Sequence, residues 1–345
     1  LTVNIREKAG RIAQKGFGLT PPVEIVPWPE GRVNLTFKVR SREGLFVLQR
    51  LHPVFGQDGV VVENVAAVTE GLASQGLVAP RVRKNVQGGW WFEDQGIWRL
   101  MTWLPGRAGR ERTIKSAAEC GRLLGRYHRA LAAHPPAIKP LPAAEYNREE
   151  PAPASVWADL IRRFRETEKF HLAEKMLKSG QALAEAWPGV IPLTRSVVHG
   201  DPKLENFLFD EAGRAIALID WDTVRVGSVL WELADGLRSW AGERGTDDQV
   251  VLMEPLFLAG VSAYRAHGLS LTEDEWRQLP WVVGARALHL AYRYWADYFE
   301  ESYFIWDRSS YPSLAEQNFR RGAGLLRLAE QLMDRGEGLA DKIFV

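Results

Sequence analysis

One cysteine stands among the 345 residues, so the chain cannot brace itself with an internal disulfide. That cysteine, Cys120, falls in the apolar stripe of residues 117–131, where a thiol packs as a small hydrophobe. A chain without disulfides suits a reducing cytoplasm, the expected location. An excess of one charge is also missing: 44 basic against 43 acidic residues leave +1, with no long single-sign block, so nucleic acid is not an implied partner. No apolar run reaches membrane-spanning length; the best, 252–261, is interrupted by Glu254 and Pro255, and no membrane partner is expected. The opening Leu1-Thr2-Val3-Asn4-Ile5 lacks the charged-then-apolar pattern of a secretory signal. Neither G-x-x-x-x-G-K-[ST] nor H-E-x-x-H occurs, which sets aside a P-loop nucleotidase and a zinc hydrolase of that type.

What is present is enough chain, 345 residues with 46% hydrophobic content, to exceed one hydrophobic core, so two lobes with a ligand site between them are expected. The informative stretch is His199-Gly200-Asp201-Pro202-Lys203-Leu204-Glu205-Asn206, followed by Ile219-Asp220-Trp221-Asp222. Phe207-Leu208-Phe209 and Ala215-Ile216-Ala217-Leu218 flank a turn at Asp210-Glu211-Ala212-Gly213, which reads as a loop followed by a hairpin. A hairpin returns the backbone, so Asn206 and Asp220 at its open end can face one ion. Phosphoryl transfer needs a carboxylate to orient the acceptor hydroxyl and oxygen ligands to hold magnesium beside the phosphates. Asp201 can serve as the first, Asn206 and Asp220 as the second. His199 is read as bracing the loop backbone, with direct catalysis as the alternative; Asp222 is either a further metal ligand or the cap of the next turn.

The order H-x-D-x-K-x-x-N resembles a protein-kinase catalytic loop, and H-G-D with a later I-D-x-D resembles the aminoglycoside phosphotransferase and choline kinase superfamily. The resemblance implies an α+β, two-lobed protein-kinase-like fold, with a small antiparallel-sheet lobe over 1–103 and a mainly helical lobe over 104–345. It implies a small-molecule kinase using ATP and magnesium, with Asp201 as base, Asn206 and Asp220 as metal ligands and Lys203 beside the transferring phosphate. Phe46-Val47-Leu48-Gln49-Arg50-Leu51, Asp220-Trp221-Asp222-Thr223, Gly227-Ser228 and the aromatic end at Tyr303-Phe304 look similar to the N-acetylhexosamine 1-kinase group. Departures are His199-Gly200-Asp201, where that group carries His-Asn-Asp, and Glu232 in Trp231-Glu232-Leu233-Ala234-Asp235, where most of the superfamily has aspartate.

Along the chain, 3–15 reads as a helix, 23–26, 32–39 and 45–51 as strands, 58–74 as a helix, and 82–83, 89–93 and 97–103 as further strands. The turn Pro29-Glu30-Gly31 leads into Asn34 and Thr36, whose small polar groups can approach phosphates or simply belong to an ordinary hairpin. The superfamily places a phosphate-gripping basic residue on the next strand, held by a helix glutamate. Here that position falls on Gln49 or Arg50, of which alternation lets one face the cleft; Arg50 is the charged choice, and Glu63 the candidate partner. Glu70 reads as surface. Thr102 and Trp103, before Pro105-Gly106, resemble the hinge whose backbone meets adenine.

Beyond the hinge, 116–131, 155–177, 230–240, 249–267, 273–300 and 314–333 read as helices, separated after 131 by a link with six prolines within 135–153. Nine of the 14 tryptophans lie after residue 150, and 292–301 mixes aromatics with carboxylates. Such rings can cover sugar faces, though a stripe of this kind also builds core. The expected acceptor is thus a small molecule bearing a hydroxyl, with an amino sugar favoured. The same-class alternatives are homoserine, choline or an aminoglycoside, whose cation Asp297, Glu300 or Glu301 could meet. A nucleotide-binding pseudokinase is the alternative from another class, motivated by the irregular Gln49-Arg50 pair.

Overall fold

Strand alternation organises the N-terminal part of the chain. The computed structural model describes residues 3–28, 33–55, 58–141, 152–189, 194–244 and 250–345. Helix α1 (Val3–Arg11) passes through a π-type turn into β1 (Glu24–Pro27), β2 (Leu35–Ser41) and β3 (Gly44–Arg50); after α2 (Val60–Ser74) come β4 (Val82–Arg83), β5 (Phe92–Glu93) and β6 (Ile97–Thr102). They form one antiparallel sheet in the order β1-β2-β3-β6-β4, with β5 also on β6. Successive side chains point to opposite faces. Phe37, Val39, Phe46, Leu48, Trp98 and Leu100 therefore share one face and pack with Ala9, Ile12, Ala13 and Phe17. Val47, Ile97 and Met101 take the other face and join Val61, Val65 and Val68 of α2 in the main core. Each large apolar side chain removed from water this way contributes about 1.5–3 kcal/mol.

The rest is mainly helical. Strand β7 (Arg107–Ala108) precedes α3 (Ile114–Ala133), α4 (Ala154–Phe164) and α5 (Glu168–Ala186); β8 (Arg195–Val198), β9 (Phe207–Phe209), β10 (Ala215–Leu218) and β11 (Arg225–Ser228) carry the loop region. Then come α6 (Val229–Trp240), β12 (Gly242–Arg244), β13 (Val250–Leu252), α7 (Glu254–His267), α8 (Glu273–Glu300) and α9 (Leu314–Lys342). Helix α3 starts at a capping box: Thr113 Oγ1 accepts from the Ser116 amide at 3.0 Å and Ser116 Oγ accepts from the Thr113 amide at 2.9 Å. It crosses α7 so closely that a Cβ on Gly121 would lie 2.2 Å from the Gly260 carbonyl oxygen, so only glycine permits the contact. The architecture is the α+β arrangement expected, an antiparallel sheet followed by helices. Among the described residues no helix is long and apolar enough to cross a membrane.

Several element bounds differ from expectation for local reasons. The helix expected over 155–177 is two, because Thr167 adopts an extended conformation and its side chain accepts from the Phe170 amide, starting α5 anew. The helix expected from 249 begins at Glu254, with Pro255 in its first turn, while β-branched Val250 and Val251 pair with β12 instead. The turn at 29–31, Arg32 at the start of the expected second strand, residue 249 and residues 142–151 of the proline-rich link lie outside the described residues. The link's described part is held to α2, where Asn64 Nδ2 donates to the Lys139 carbonyl at 2.8 Å and Asn64 Oδ1 accepts from the Lys139 amide at 2.9 Å.

Candidate active site

The β9–β10 hairpin brings its two ends together as the spacing suggested. Leu218 pairs with Phe207, and the Ile219 amide donates to the Asn206 carbonyl at 2.9 Å, so Asp220 emerges beside Asn206. Asn206 Nδ2 donates to the Asp201 carbonyl at 2.8 Å and lies 3.3 Å from Asp201 Oδ2, leaving its Oδ1 as the end a cation can use. Lys203 Nζ pairs with Asp201 Oδ2.

The loop ahead of this hairpin is braced from below. Glu232, 2% exposed at the start of α6, accepts from the His199 amide at 2.8 Å and the Gly200 amide at 2.9 Å. The His199 ring contacts the Ile219 carbonyl through Nε2 at 2.9 Å, tying the loop to the hairpin. Burial lowers the His199 pKa, which keeps the ring neutral and suits the bracing reading. Gly200 sits at φ +90°, and a Cβ there would lie 2.4 Å from both the Thr223 carbonyl oxygen and Arg225 Nη1. The glycine that departs from the hexosamine-kinase pattern is thus required here by local geometry.

The loop's carboxylates are set to different protonation tendencies. Burial works to raise the Asp201 pKa, but the ammonium of Lys203 outweighs it and holds the group below the usual carboxylate range. Asp220 is the opposite case. Its side chain remains accessible to solvent, yet surrounding protein desolvates it and the like charges of Asp222 and Asp201 add to this, so its pKa is pushed up to about 6 despite Lys203 and Arg99. A divalent cation would relieve that repulsion. Asn206 Oδ1 and the Asp220 carboxylate are hard oxygen ligands of the type magnesium takes alongside phosphate oxygens and water. Two protein oxygens would leave the other positions of such an ion to phosphate oxygens and water.

Facing this loop, register aligns Thr36, Gln49 and Arg99 in one row across β2, β3 and β6. Gln49 Nε2 donates to Thr36 Oγ1 at 3.1 Å, while Gln49 Oε1 accepts from Arg99 Nε at 3.0 Å and Nη2 at 2.7 Å. Arg99, 1% exposed, continues to Asp222, its Nη1 2.5 Å from Oδ1. The other Asp222 oxygen accepts from Asn34 Nδ2 at 2.6 Å, and Asn34 Oδ1 accepts from the His52 amide at 2.9 Å. Asp222 thus bridges the sheet to the loop.

Other expected nucleotide contacts lie elsewhere. Arg50 is the neighbour of Gln49 on the strand and so points to the opposite face, where Nη2 donates to the Gln95 carbonyl. Glu63 pairs with Lys139 at 2.5 Å near the surface. The hinge amides are already used: Thr102 donates to the Arg81 carbonyl at 2.9 Å and Trp103 to the Leu45 carbonyl at 3.1 Å. The Trp103 ring lies under Lys38 Nζ at 4.1 Å, and its edge-on partner is Trp28. A contact of these two residues with adenine through the backbone would therefore use their carbonyls.

The three carboxylates considered for a cationic acceptor are also spent. Asp297, 3% exposed, accepts from the Ser302 and Tyr303 amides at 2.7 Å and from Phe304 at 3.0 Å, closing the chain after α8. Glu300 pairs with Arg163 and Glu301 with Lys169, both at 2.5 Å. What the sequence did not single out is Asp235, buried between Arg238, with Nη2 at 2.9 Å, and Arg286, with Nε at 3.0 Å. Burial opposes the charge of Arg286, but Asp235 and then Asp201 raise its pKa, placing a cation in the field of the candidate base. Arg99 was missed too, although a lone charge inside Ile97-Trp98-Arg99-Leu100-Met101 is a readable sign of a buried polar contact.

Residues 24–280 match the phosphotransferase enzyme family, APH. A homoserine kinase of Phenylobacterium zucineum (strain HLK1) is 27% identical over 192 residues, which cover 55% of this chain and 54% of that protein. The match thus spans about half the length of that curated relative. The structure of an amicoumacin kinase in complex with AMP-PNP, Ca2+ and Ami superposes with a TM-score of 0.61 at 14% identity, covering 96% of this chain and 95% of the other. A microcompartment-associated aminopropanol kinase gives 0.61 at 15% identity, over 96% and 98% of the two chains. Choline kinase from Cryptosporidium parvum Iowa II gives 0.59 at 12%, over 99% and 100%. At these identities the likeness is one of fold, and it is the protein-kinase-like one expected.

Proposed function

Since the chain belongs to the phosphotransferase enzyme family, we propose that it is a kinase that moves the γ-phosphate of ATP to a hydroxyl of a small molecule, with the nucleotide held by residues 1–103 and the acceptor by residues 104–345. The observation that carries this reading is the meeting of Asp201, Lys203, Asn206 and Asp220 at the open end of the β9–β10 hairpin, opposite the Thr36–Gln49–Arg99 row. Asp201, kept ionised beside Lys203, accepts the acceptor hydroxyl's hydrogen bond and aligns its oxygen with the phosphorus. In a loose transition state this alignment matters more than early proton removal: the bond from the γ-phosphorus to the bridging oxygen breaks and ADP leaves with that electron pair, the acceptor oxygen forms the new P–O bond, and its proton passes to Asp201. Asn206 and Asp220 would hold magnesium, which when bound would supply positive charge to the phosphate oxygens. Lys203 adds positive charge on the same side of the loop.

For the acceptor, the charge pattern favours a hydroxy amino acid of the homoserine type. Arg238 and Arg286 share the one carboxylate of Asp235, and the positive charge of Arg286 also feels Asp201 and Glu232. A carboxylate on the acceptor would pair with that charge while its hydroxyl reached Asp201. The homoserine kinase relative points the same way. The amino-sugar expectation loses its main motive, because Trp295 is fully buried, Tyr298 is 4% exposed and Asp297 is committed to backbone amides. ADP release measured with homoserine, choline, an aminoglycoside and N-acetylhexosamines tests the choice. Turnover is expected with the hydroxy amino acid and should weaken through KM in Arg286→Met. Turnover confined to neutral sugars or to amines lacking a carboxylate would reject the acceptor assignment, and no ADP release with any hydroxyl acceptor would favour a pseudokinase.

A further inference from the structure

We propose that Arg99, delivered from β6 and oriented by Gln49, is the residue that grips the nucleotide phosphates, and that it does so by exchanging Asp222 for phosphate oxygens. This rests on the kinase reading above. The strand position that faces the loop on β3 is neutral Gln49, and the next residue in the same row, one strand over, is a guanidinium. Gln49 Oε1 takes two of its N–H groups, Nε and Nη2, and so fixes the plane of the group without cancelling its charge. A glutamate in that place would hold the arginine as firmly but neutralise it.

The end of Arg99 that Gln49 does not hold is buried against Asp222. Nη1 lies 2.5 Å from Asp222 Oδ1, but out of alignment for a hydrogen bond, so among the described residues neither atom has a hydrogen-bond partner. The two groups nonetheless form a buried ion pair, and Nη1 can leave it only for acceptors that offer a better-aligned hydrogen bond and more charge. Phosphate oxygens are such acceptors, and a planar guanidinium can meet two at once. Asp222, released from Arg99, still accepts from Asn34 through its other oxygen and stands two residues from Asp220. The exchange keeps the charges compensated: the arginine passes to the polyanion, and the freed carboxylate faces the cation that accompanies it. Arg50 cannot take this part, because its guanidinium is on the opposite face at Gln95.

Calorimetric titration with adenosine and with MgADP separates a phosphate clamp from a structural arginine, because adenosine uses the same base pocket and offers no phosphate. In Arg99→Met the affinity for MgADP is expected to fall about tenfold or more while that for adenosine stays within about twofold. The double variant Gln49→Lys with Arg99→Met, which moves the cation to the adjacent position of the row, is expected to recover much of the loss. Unchanged MgADP affinity, or an equal loss for both ligands, overturns the proposal. If Arg99→Met does not fold, Gln49→Leu leaves the arginine in place but unheld; it is expected to weaken MgADP about threefold and spare adenosine, and no change in MgADP affinity overturns the proposal equally. Absence of MgADP binding by the wild-type protein would instead reject the kinase reading itself.

Discussion

In the sheet, Arg99 is almost wholly buried, fixed by Gln49 on one side and facing Asp222 on the other. In the loop opposite, the Asp201 and Lys203 side chains keep 32% and 36% of their surface exposed, and Asp220 opens to solvent and forms no salt bridge among the described residues. The two sides handle charge in opposite ways. The sheet pre-pairs its cation and needs a ligand strong enough to exchange partners. The loop concentrates carboxylates and leaves a deficit of positive charge, which a divalent ion can fill. Nucleotide and metal together would satisfy both, which is a physical reason for them to bind as a complex.

The comparison is broken most severely at Asp201. Asp201→Asn is expected to lower turnover by about 10³-fold, measured as acceptor-dependent ADP release, while MgADP affinity is kept. Equal loss of nucleotide binding would mean that the loop side cannot be perturbed independently. Gly200→Ala should act on stability, since both φ +90° and the contact with the Thr223 carbonyl oppose a Cβ. A loss of about 2–3 kcal/mol in urea denaturation is expected.

A pH effect sharpens the contrast. The Asp220 pKa is raised to about 6 in the folded protein, so the folded state holds this proton more tightly than the unfolded chain does. The associated stability is full below the unfolded carboxylate pKa, near 4, and is lost as pH rises through about 6. Without metal, the wild type should therefore lose thermal stability across that window more steeply than Asp220→Asn. Added magnesium should restore it at neutral pH in the wild type but not in the variant. Identical pH profiles would remove Asp220 from this role. The smallest effect is expected at Arg50→Ala, where nucleotide affinity should change less than about twofold; a loss matching Arg99→Met would place the clamp on the wrong face of the strand.

The loop side was legible because its residues are close in the chain. Asp201, Lys203 and Asn206 lie within six residues of one another, and a four-residue reversal returns Asp220 to them, so spacing and turn chemistry carry the geometry. The sheet side was not. Gln49 and Arg99 are 50 residues apart, and only the β3–β6 register makes them neighbours. Alternation alone said that one of Gln49 and Arg50 would face the loop, but the preference for the charged residue overlooked that a neutral one can orient a cation from the next strand. Glu63 failed as a partner for a related reason: the link after α3 brings Lys139 to it, a contact no local pattern announces.

The chain by itself determined the antiparallel sheet followed by helices, the hairpin that assembles the candidate base and metal ligands, and the buried, disulfide-free setting of Cys120. These follow from hydrophobic period, turn residues and composition, which act over a few residues at a time. Tertiary structure alone decided which cation faces the loop, that Asp222 joins loop to sheet through Arg99 and Asn34, and that Asp297, Glu300 and Glu301 are consumed by their neighbours. Each of these is a choice among distant partners, and strand register and helix packing settle it only when the whole chain has come together.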